Sequence, residues 1–216
     1  MANSPFTVAQ MRPIRDGMTI SRPAGLGSAV PVTWFSLGAG TSITPESYDT
    51  PTIYLGGEGV GVFLLGETAQ RVPLAPGKLL FVPSKCLCGV EAAKGTVYTE
   101  LILKKEPTMT DLIHAGEPTE LKNLISYEEG SIANLDVAHT DNMKFVLMAF
   151  DEGTGLTPHR APGNAILTAL EGKAIIGYEG QDYELTAGQS FRFEKNGLHS
   201  VTAQGKFKMS LLLVLE

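Results

Sequence analysis

Two histidines, His159 and His199, are the residues of this 216-residue chain whose type and setting best suit chemistry. An imidazole titrates near neutral pH and also binds transition metals, so such a pair suits a metal site or general acid–base work. His159 lies within 153–172, GTGLTPHRAPGNAILTALEG, and His199 ends 188–199, GQSFRFEKNGLH. Both runs begin with a glycine turn and lead into a short strand, which predicts that the two histidines meet in one β structure.

Strand geometry indicates which neighbours of His159 share its surroundings. Side chains alternate between the two faces of a strand, so His159 and Ala161 face one way and Arg160 the other. Asn164, which precedes Ala165, points away from the Ala165 side by the same rule. The sequence therefore predicts that Arg160 faces outward, and we do not count it among groups that bind an anionic ligand.

The spacing around His159 resembles the first motif of the cupin superfamily, which reads Gly, five residues, His-x-His, three or four residues, Glu, six residues, Gly. In this chain the positions are Gly153, five residues, His159-Arg160-Ala161, three residues, Ala165, six residues and Gly172. The glycines and the first histidine match. Alanines stand where the family has its second histidine and its glutamate.

The second run resembles the second cupin motif, which reads Gly, five residues, Pro-x-Gly, two residues, His. Here the positions are Gly188, five residues, Glu194-Lys195-Asn196, two residues and His199. The resemblance implies a metal site of three imidazoles and one carboxylate, a donor set that suits Fe, Mn, Ni, Cu or Zn. Only His159 and His199 occupy ligand positions, and two imidazoles are fewer than the three protein ligands typical of a catalytic zinc site.

The two alanines also favour a different use of the same position. Ala161 and Ala165 remove bulk and polarity where the family has ligands, which predicts a concave, mostly apolar pocket in which His159 and His199 are the polar groups. Such a pocket suits a small molecule that is still unidentified. The plainer alternative is that the two histidines hydrogen-bond each other, a water molecule or the backbone.

A repeat within the chain predicts that the fold is duplicated. Glycines and short motifs recur at an offset of 113, as in Gly40 with Gly153 and Thr44-Pro45 with Thr157-Pro158, and then at 111, as in Gly77 with Gly188. Copies of about 100 residues are too long for a solenoid unit and fit duplicated domains. We therefore predict an N-terminal domain over 1–105, a linker over 106–120 and a C-terminal domain over 121–216.

The aligned positions of the first copy are Glu46, Tyr48, Thr52 and Cys88, and no histidine precedes His114. An imidazole cluster is therefore excluded in the first copy. Burial of Glu46 beside Tyr48 and Tyr54 would raise its pKa and suit a proton carrier. The alternative is a glutamate that is hydrogen-bonded to a tyrosine in a domain that serves only as a scaffold. We expect Cys86 and Cys88 to be buried thiols.

The fold expected from these patterns is all-β, with two tandem cupin-type double-stranded β-helix, or jelly-roll, barrels and a short helical linker. Short apolar strands between glycine turns indicate an antiparallel sandwich or barrel, and the jelly roll is the form that cupins take. The segment 119–125, TELKNLI, predicts a short helix with Thr119 as a possible N-cap.

The composition limits the kinds of partner that this protein is expected to bind. A net charge of −6 argues against nucleic acid and anionic membranes, which reward basic patches. No apolar run approaches the roughly 20 residues of a membrane span, and the first residues lack a secretory signal. Two cysteines at i, i+2 spacing suit free thiols in a reducing compartment, so we expect a cytoplasmic protein. Pairing of exposed jelly-roll edges predicts a homodimer.

Three functions remain open from the sequence. The first is a small-molecule-binding bicupin with a degenerate, metal-poor site in the C-terminal barrel. The second is a metal-dependent enzyme of the isomerase or oxygenase type that uses His159 and His199. The third is a structural dimer without catalysis, because a fold by itself does not define a function.

Overall fold

The computed structural model describes residues 4–215 and is almost entirely β-structure. The chain divides into two compact units, which we call the N-terminal and C-terminal barrels. The N-terminal barrel comprises residues 8–107 and 111–120, and the C-terminal barrel comprises residues 4–7, 108–110 and 121–215. Among residues 4–215, no helix has the length and apolar character needed to cross a membrane.

The N-terminal barrel begins with the one-turn helix α1 (Val8–Met11) and continues with nine strands. These are β1 (Thr19–Pro23), β2 (Val32–Leu37), β3 (Thr41–Glu46), β4 (Thr52–Gly59), β5 (Gly61–Leu65), β6 (Gln70–Leu74), β7 (Lys78–Val82), β8 (Cys88–Ala92) and β9 (Thr96–Ile102). All pairings between them are antiparallel. One sheet has the order β1-β2-β9-β4-β7, and the other has the order β3-β8-β5-β6.

The segment between the barrels adds an edge strand to each unit. β10 (Thr108–Met109) pairs with the first strand of the C-terminal barrel, and β11 (Thr119–Glu120) pairs with β7. A single 3-10 turn, Leu121–Asn123, follows β11. The helix expected over 119–125 is therefore shorter than predicted, because Thr119 and Glu120 are extended by their pairing with Leu79 and Lys78.

The C-terminal barrel repeats the same strand plan. Its strands are β12 (Ile132–Thr140), β13 (Met143–Phe150), β14 (Gly155–Arg160), β15 (Asn164–Glu171), β16 (Lys173–Tyr178), β17 (Gln181–Thr186), β18 (Ser190–Phe193), β19 (Leu198–Ala203) and β20 (Phe207–Val214). The two sheets have the orders β12-β13-β20-β15-β18 and β14-β19-β16-β17. Strand by strand, these orders match those of the N-terminal barrel, and the all-β tandem jelly-roll prediction is confirmed.

Each barrel encloses an apolar core drawn from both of its sheets. In the N-terminal barrel the core joins Tyr54 and Tyr98 of one sheet to Phe63 and Val90 of the other. The C-terminal core joins residues such as Leu167 and Phe191 to Ile176 and Val201 in the same way. Burial alternates along β2, β5, β16 and β19, as expected for strands that cover a core on one face.

The glycines at the C-terminal ends of β4 and β15 show why the repeat is visible in sequence. Gly59 and Gly172 both have positive φ, at 65° and 74°. A Cβ on Gly59 would lie 2.3 Å from the Gly95 carbonyl oxygen, and one on Gly172 would lie 2.1 Å from that of Lys206. Both the dihedral and the close approach require glycine, so the same residue type recurs in both copies.

Candidate functional site

His159 and His199 lie directly opposite each other on the antiparallel strands β14 and β19. Their ring centroids are 4.3 Å apart with an interplanar angle of 54°. A register shift separates this pair from Leu156 and Val201, the next pair along the ladder. The structure therefore brings together the two histidines that the sequence singled out.

The backbone fixes the orientation of both imidazoles. His159 Nδ1 lies 2.8 Å from the Thr157 carbonyl oxygen, and His199 Nδ1 lies 2.9 Å from that of Gly197. A carbonyl oxygen only accepts hydrogen bonds, so each Nδ1 carries a proton and donates it. In the neutral rings each Nε2 is then the unprotonated nitrogen, which can accept a hydrogen bond or bind a metal. One alternative from the sequence was that the histidines hydrogen-bond the backbone. Both do so through Nδ1, which leaves Nε2 of each ring available.

Two aromatic residues that the sequence reading did not single out surround His199. The Phe193 ring on β18 stacks on the His199 ring, with centroids 4.2 Å apart and an interplanar angle of 21°. Tyr178 is the cross-strand partner of His199 on β16, on the side away from His159, and is buried. Their positions in the sequence could have indicated both residues. Phe193 ends the strand within the second motif, and Tyr178 ends β16, just before the turn to β17.

Burial distinguishes the two histidines. His199 is 6% exposed, whereas His159 is exposed. Burial lowers the pKa of His199, and the nearby His159 imidazole lowers it further, against the opposing effect of the Gly197 hydrogen bond. His199 is therefore held in its neutral form deeper in the site, while His159 lies at the solvent edge.

The two alanines of the motif lie just after β14 and on β15. Ala165 is buried and pairs with Phe193 and Leu213, and it belongs to one apolar cluster with Leu167 and Leu211. Ala161 is half-buried just beyond β14, and its carbonyl oxygen accepts a hydrogen bond from the Asn196 backbone. Ala165 thus extends the apolar surroundings of His199.

Arg160 and Asn164 have partners other than the histidines. The Arg160 guanidinium donates to the Asn196 carbonyl oxygen and lies 3.7 Å from a Glu179 carboxylate oxygen. The Asn164 side-chain oxygen accepts a hydrogen bond from the Lys195 backbone at 2.9 Å. Both residues help to hold the 194–197 turn that precedes His199.

An open cavity of about 250 Å³ borders the histidine strand. Its lining includes Pro158, Gly177 and Ser200 together with His199 and the 178–182 turn. A Cβ on Gly177 would lie 2.4 Å from Ser200 Oγ, so this glycine keeps the surface between the two strands open.

The donor set around the pair does not by itself fit a tightly held metal. Within residues 4–215, no group of three or more His, Cys, Asp or Glu side chains is arranged to hold a metal ion. Two Nε2 atoms are available, and alanines occupy the other two ligand positions of the motif. A metal bound here would need further ligands from water or from a substrate.

The N-terminal barrel places Glu46 opposite Cys88, in the register that pairs His159 with His199. Glu46 and Tyr48 are exposed, whereas Cys88 is buried and Cys86 is half-buried; both thiols are free. Burial raises the pKa of Cys88 to about 12, so it is an unreactive thiol. The burial that a proton carrier at Glu46 would require is not found, because Glu46 ends β3 at an exposed position.

Glu100 is the buried carboxyl group of this barrel, and the sequence reading missed it. It is 7% exposed and lies opposite Tyr54 on the β4–β9 ladder. Burial raises the pKa of Glu100 to about 7, the Glu46 charge adds to the rise, and a hydrogen bond with Tyr54 opposes it. A signal was present: Glu100 stands within the apolar strand TVYTELI, two residues after Tyr98 on the same face.

Comparison of the two barrels shows how their interiors differ. The Tyr54–Glu100 pair of the N-terminal barrel corresponds to the Leu167–Leu211 pair of the C-terminal barrel, at the offsets of 113 and 111. One barrel therefore has an acid and a phenol where the other has two leucines. The two interiors suit different ligands.

Comparisons with known proteins agree with this geometry. A family profile described as "Cupin domain" matches residues 146–215, which contain His159 and His199. The structure resembles a cupin 2 conserved barrel domain protein from Leptotrichia buccalis, with a TM-score of 0.86, 23% identity and coverage of 98% of this chain and 96% of that one. The profile match supports a cupin domain over residues 146–215, and the structural similarity concerns the fold of the whole chain.

More distant similarity extends to an enzyme. A salicylate 1,2-dioxygenase from Pseudaminobacter salicylatoxidans superposes with a TM-score of 0.65 and 11% identity, covering 94% of this chain and 77% of that one. A structure of salicylate 1,2-dioxygenase from Pseudoaminobacter salicylatoxidans with gentisate gives a TM-score of 0.66, 11% identity and coverage of 95% and 76%. At such identities the likeness concerns the fold alone. A comparison with curated protein sequences found no significant match.

Proposed function

We propose that the C-terminal barrel binds a small, largely apolar molecule whose polar group is recognised by His159 and His199. The observation that carries this proposal is the pair itself: two imidazoles with centroids 4.3 Å apart, each with Nδ1 engaged by the backbone. Two fixed Nε2 atoms beside an apolar cluster match the usual composition of a ligand site, in which few polar groups orient the ligand. The cluster around Ala165 supplies the apolar contact.

The chemistry available to this site follows from the tautomers. Each neutral imidazole accepts a hydrogen bond at Nε2, so a hydroxyl, amide or protonated carboxyl group of the ligand is a suitable partner. The depressed pKa of His199 keeps this acceptor neutral as the pH falls, while His159 lies at the exposed edge of the site. Binding is therefore expected to weaken when both rings become protonated.

Thermal-shift screening of tag-free protein with neutral and anionic small molecules tests the proposal. Salicylate and gentisate are included because they are named for the distant neighbours. Ligands raise the melting temperature by linkage, without added metal. We expect His199→Phe, which keeps an aromatic ring, to abolish the shift. His139→Gln replaces an exposed histidine of the same barrel and should preserve it. Equal shifts in His199→Phe, or no hit in the screen, would refute the proposal.

A metal-dependent enzyme of the isomerase or oxygenase type is the second candidate, and the shared tautomer of the two histidines favours it. Unprotonated Nε2 atoms with Nδ1 held by the backbone are the form in which histidines bind metals. Metal content separates the candidates: about one transition metal per chain, lost in the His159→Ala/His199→Ala variant, would favour the enzyme. Metal at background level, together with ligand-induced stabilisation, would favour the binding protein. We propose a cytoplasmic homodimer in either case.

A further inference from the structure

We propose that the interior of the N-terminal barrel is a second binding site, specific for a small organic cation, with the carboxyl group of Glu100 as its counter-ion. This site is independent of the histidine pair, because it is built from residues of the other barrel. Its ligand class differs as well, since the C-terminal interior has leucines at the positions of Tyr54 and Glu100.

The surroundings of Glu100 provide no positive charge. Its side chain is buried, and the groups that act on its titration are the phenol of Tyr54 and the carboxyl of Glu46, neither of which carries a positive charge. A buried carboxylate is unfavourable unless a positive charge or several hydrogen bonds accompany it. A bound cation would supply the positive charge that these two neighbours do not.

Aromatic side chains lie close to the Glu100 carboxyl group. Tyr54 and Tyr98 contact each other edge to face at 5.9 Å, and both lie close enough to Glu100 for its charge to raise their pKa values. Phe63 packs on Tyr54 at 4.7 Å and Phe35 stacks on Tyr98 at 5.1 Å. Aromatic faces beside a carboxylate form the environment that binds ammonium groups through cation–π contacts.

Negatively charged groups occur both at the surface of this barrel and at the buried acid. Tyr48 is 37% exposed and Glu46 is exposed, and both interact electrostatically with the interior: Glu46 acts on Glu100, and Glu100 acts on Tyr48. Carboxylates at the surface and in the interior of the same barrel attract cations and repel anions.

Binding of a cation must be linked to proton release. The titratable groups that face Glu100 come from different parts of the barrel. Glu46 of β3 and Tyr54 of β4 act on the pKa of Glu100, and the Glu100 charge in turn raises the pKa values of Tyr48, Cys88 of β8 and Tyr98 of β9. The phenols and the thiol have pKa values raised well above neutrality, so Glu100 is the interior group that titrates near pH 7. A cation favours its ionised form, and affinity therefore falls as the solution becomes more acidic than the pKa of Glu100.

Calorimetric titration of the full-length protein with choline tests the inference, with 3,3-dimethylbutan-1-ol as the uncharged probe of the same shape. We expect choline to bind about tenfold or more tightly than the alcohol at about pH 8. Affinity for choline should fall as the pH is lowered to about 6, with proton release detected as a dependence on the ionisation enthalpy of the buffer.

Four variants test whether Glu100 itself is responsible for choline binding. Glu100→Gln keeps the shape of the protonated acid and should weaken choline binding by about tenfold or more. Glu91→Gln removes an exposed carboxylate of the same barrel, ion-paired with Arg71, and should leave binding unchanged. Glu46→Gln, at an exposed position, should give a smaller loss and serves as a second variant if Glu100→Gln folds poorly. His159→Ala/His199→Ala should bind choline normally, which separates this site from the histidine site.

Three results would each overturn the inference. The first is choline binding that is no tighter than binding of the uncharged alcohol, and the second is a Glu100→Gln variant that binds choline as tightly as the wild type. The third is a wild-type protein that binds neither choline nor tetramethylammonium at about pH 8. Failure of this test would leave the histidine site untouched, because that site is probed with uncharged and anionic compounds.

Discussion

The ring of Phe193 covers one face of the His199 imidazole, with centroids 4.2 Å apart and planes inclined by 21°. This contact connects two motif positions: the end of strand β18 and the histidine of strand β19. It removes water from one side of the imidazole, and desolvation is the largest cause of the lowered pKa of His199. The apolar core and the protonation state of the site are therefore coupled.

Replacing Phe193 should change both stability and titration. Phe193→Ala removes a fully buried ring and is expected to lower the free energy of unfolding by about 3–5 kcal/mol. Phe193→Leu keeps most of the volume and should cost about 1–2 kcal/mol. In Phe193→Leu the His199 pKa should rise toward its ordinary value, because the ring gains hydration. Histidine titration by NMR, with exposed His139 as the internal reference, checks this shift; an unchanged His199 pKa would contradict it.

The lowered pKa of His199 predicts how stability depends on pH. The unfolded chain binds a proton at this residue near pH 6.5, whereas the folded protein does so only at lower pH. The stabilising contribution is therefore complete above about pH 6.5 and is lost as the pH falls through the folded-state pKa. His199→Gln should show a shallower loss of stability on acidification than the wild type. Urea unfolding at a series of pH values measures the difference, and parallel curves would contradict the prediction.

Glu100 predicts the opposite dependence. Its pKa is about 7 in the folded protein and 4.5 in the unfolded chain, so the folded form holds a proton that the unfolded form has released between these values. The free energy of unfolding should fall as the pH rises through this window, by at most about 3 kcal/mol. Glu100→Gln should remove this slope and be more stable than the wild type at about pH 8.

The control for this prediction is Glu91→Gln, which changes an exposed carboxylate and should retain the wild-type slope. A Glu100→Gln variant with an unaltered slope would show that the buried acid is ionised at all pH values tested. Bound ligand must be removed by dialysis first, because a cation in the site would lower the Glu100 pKa and flatten the curve.

The motif glycines should differ in how much the free energy of unfolding falls when alanine replaces them. Gly172→Ala places a Cβ against the Lys206 carbonyl oxygen and also requires a left-handed backbone conformation, so it should cost about 3 kcal/mol or more. Gly153→Ala, with similar φ but open space around the Cβ position, should cost about 1 kcal/mol. Denaturant unfolding compares the two variants; equal losses would mean that the close approach at Gly172 relaxes freely.

The sequence alone determined the architecture because its signals are local. Glycines at positive φ and close backbone approaches allow few alternatives, and they recur at offsets of 113 and 111 in Gly40 with Gly153 and Gly77 with Gly188. The spacing of His159 and His199 from these glycines was also sufficient to predict that the two imidazoles meet. A turn and a strand of known length place a side chain without knowledge of distant residues.

Only the tertiary structure decided which groups are buried and what they contact. Glu46 aligned with a motif histidine and is exposed, whereas Glu100, outside the motif positions, is buried opposite Tyr54. The predicted helix at 119–125 gave way to strand pairing with β7 for the same reason. Each outcome depends on strands that are distant in sequence and adjacent in the sheet, and cross-strand contacts and burial outweigh local preference.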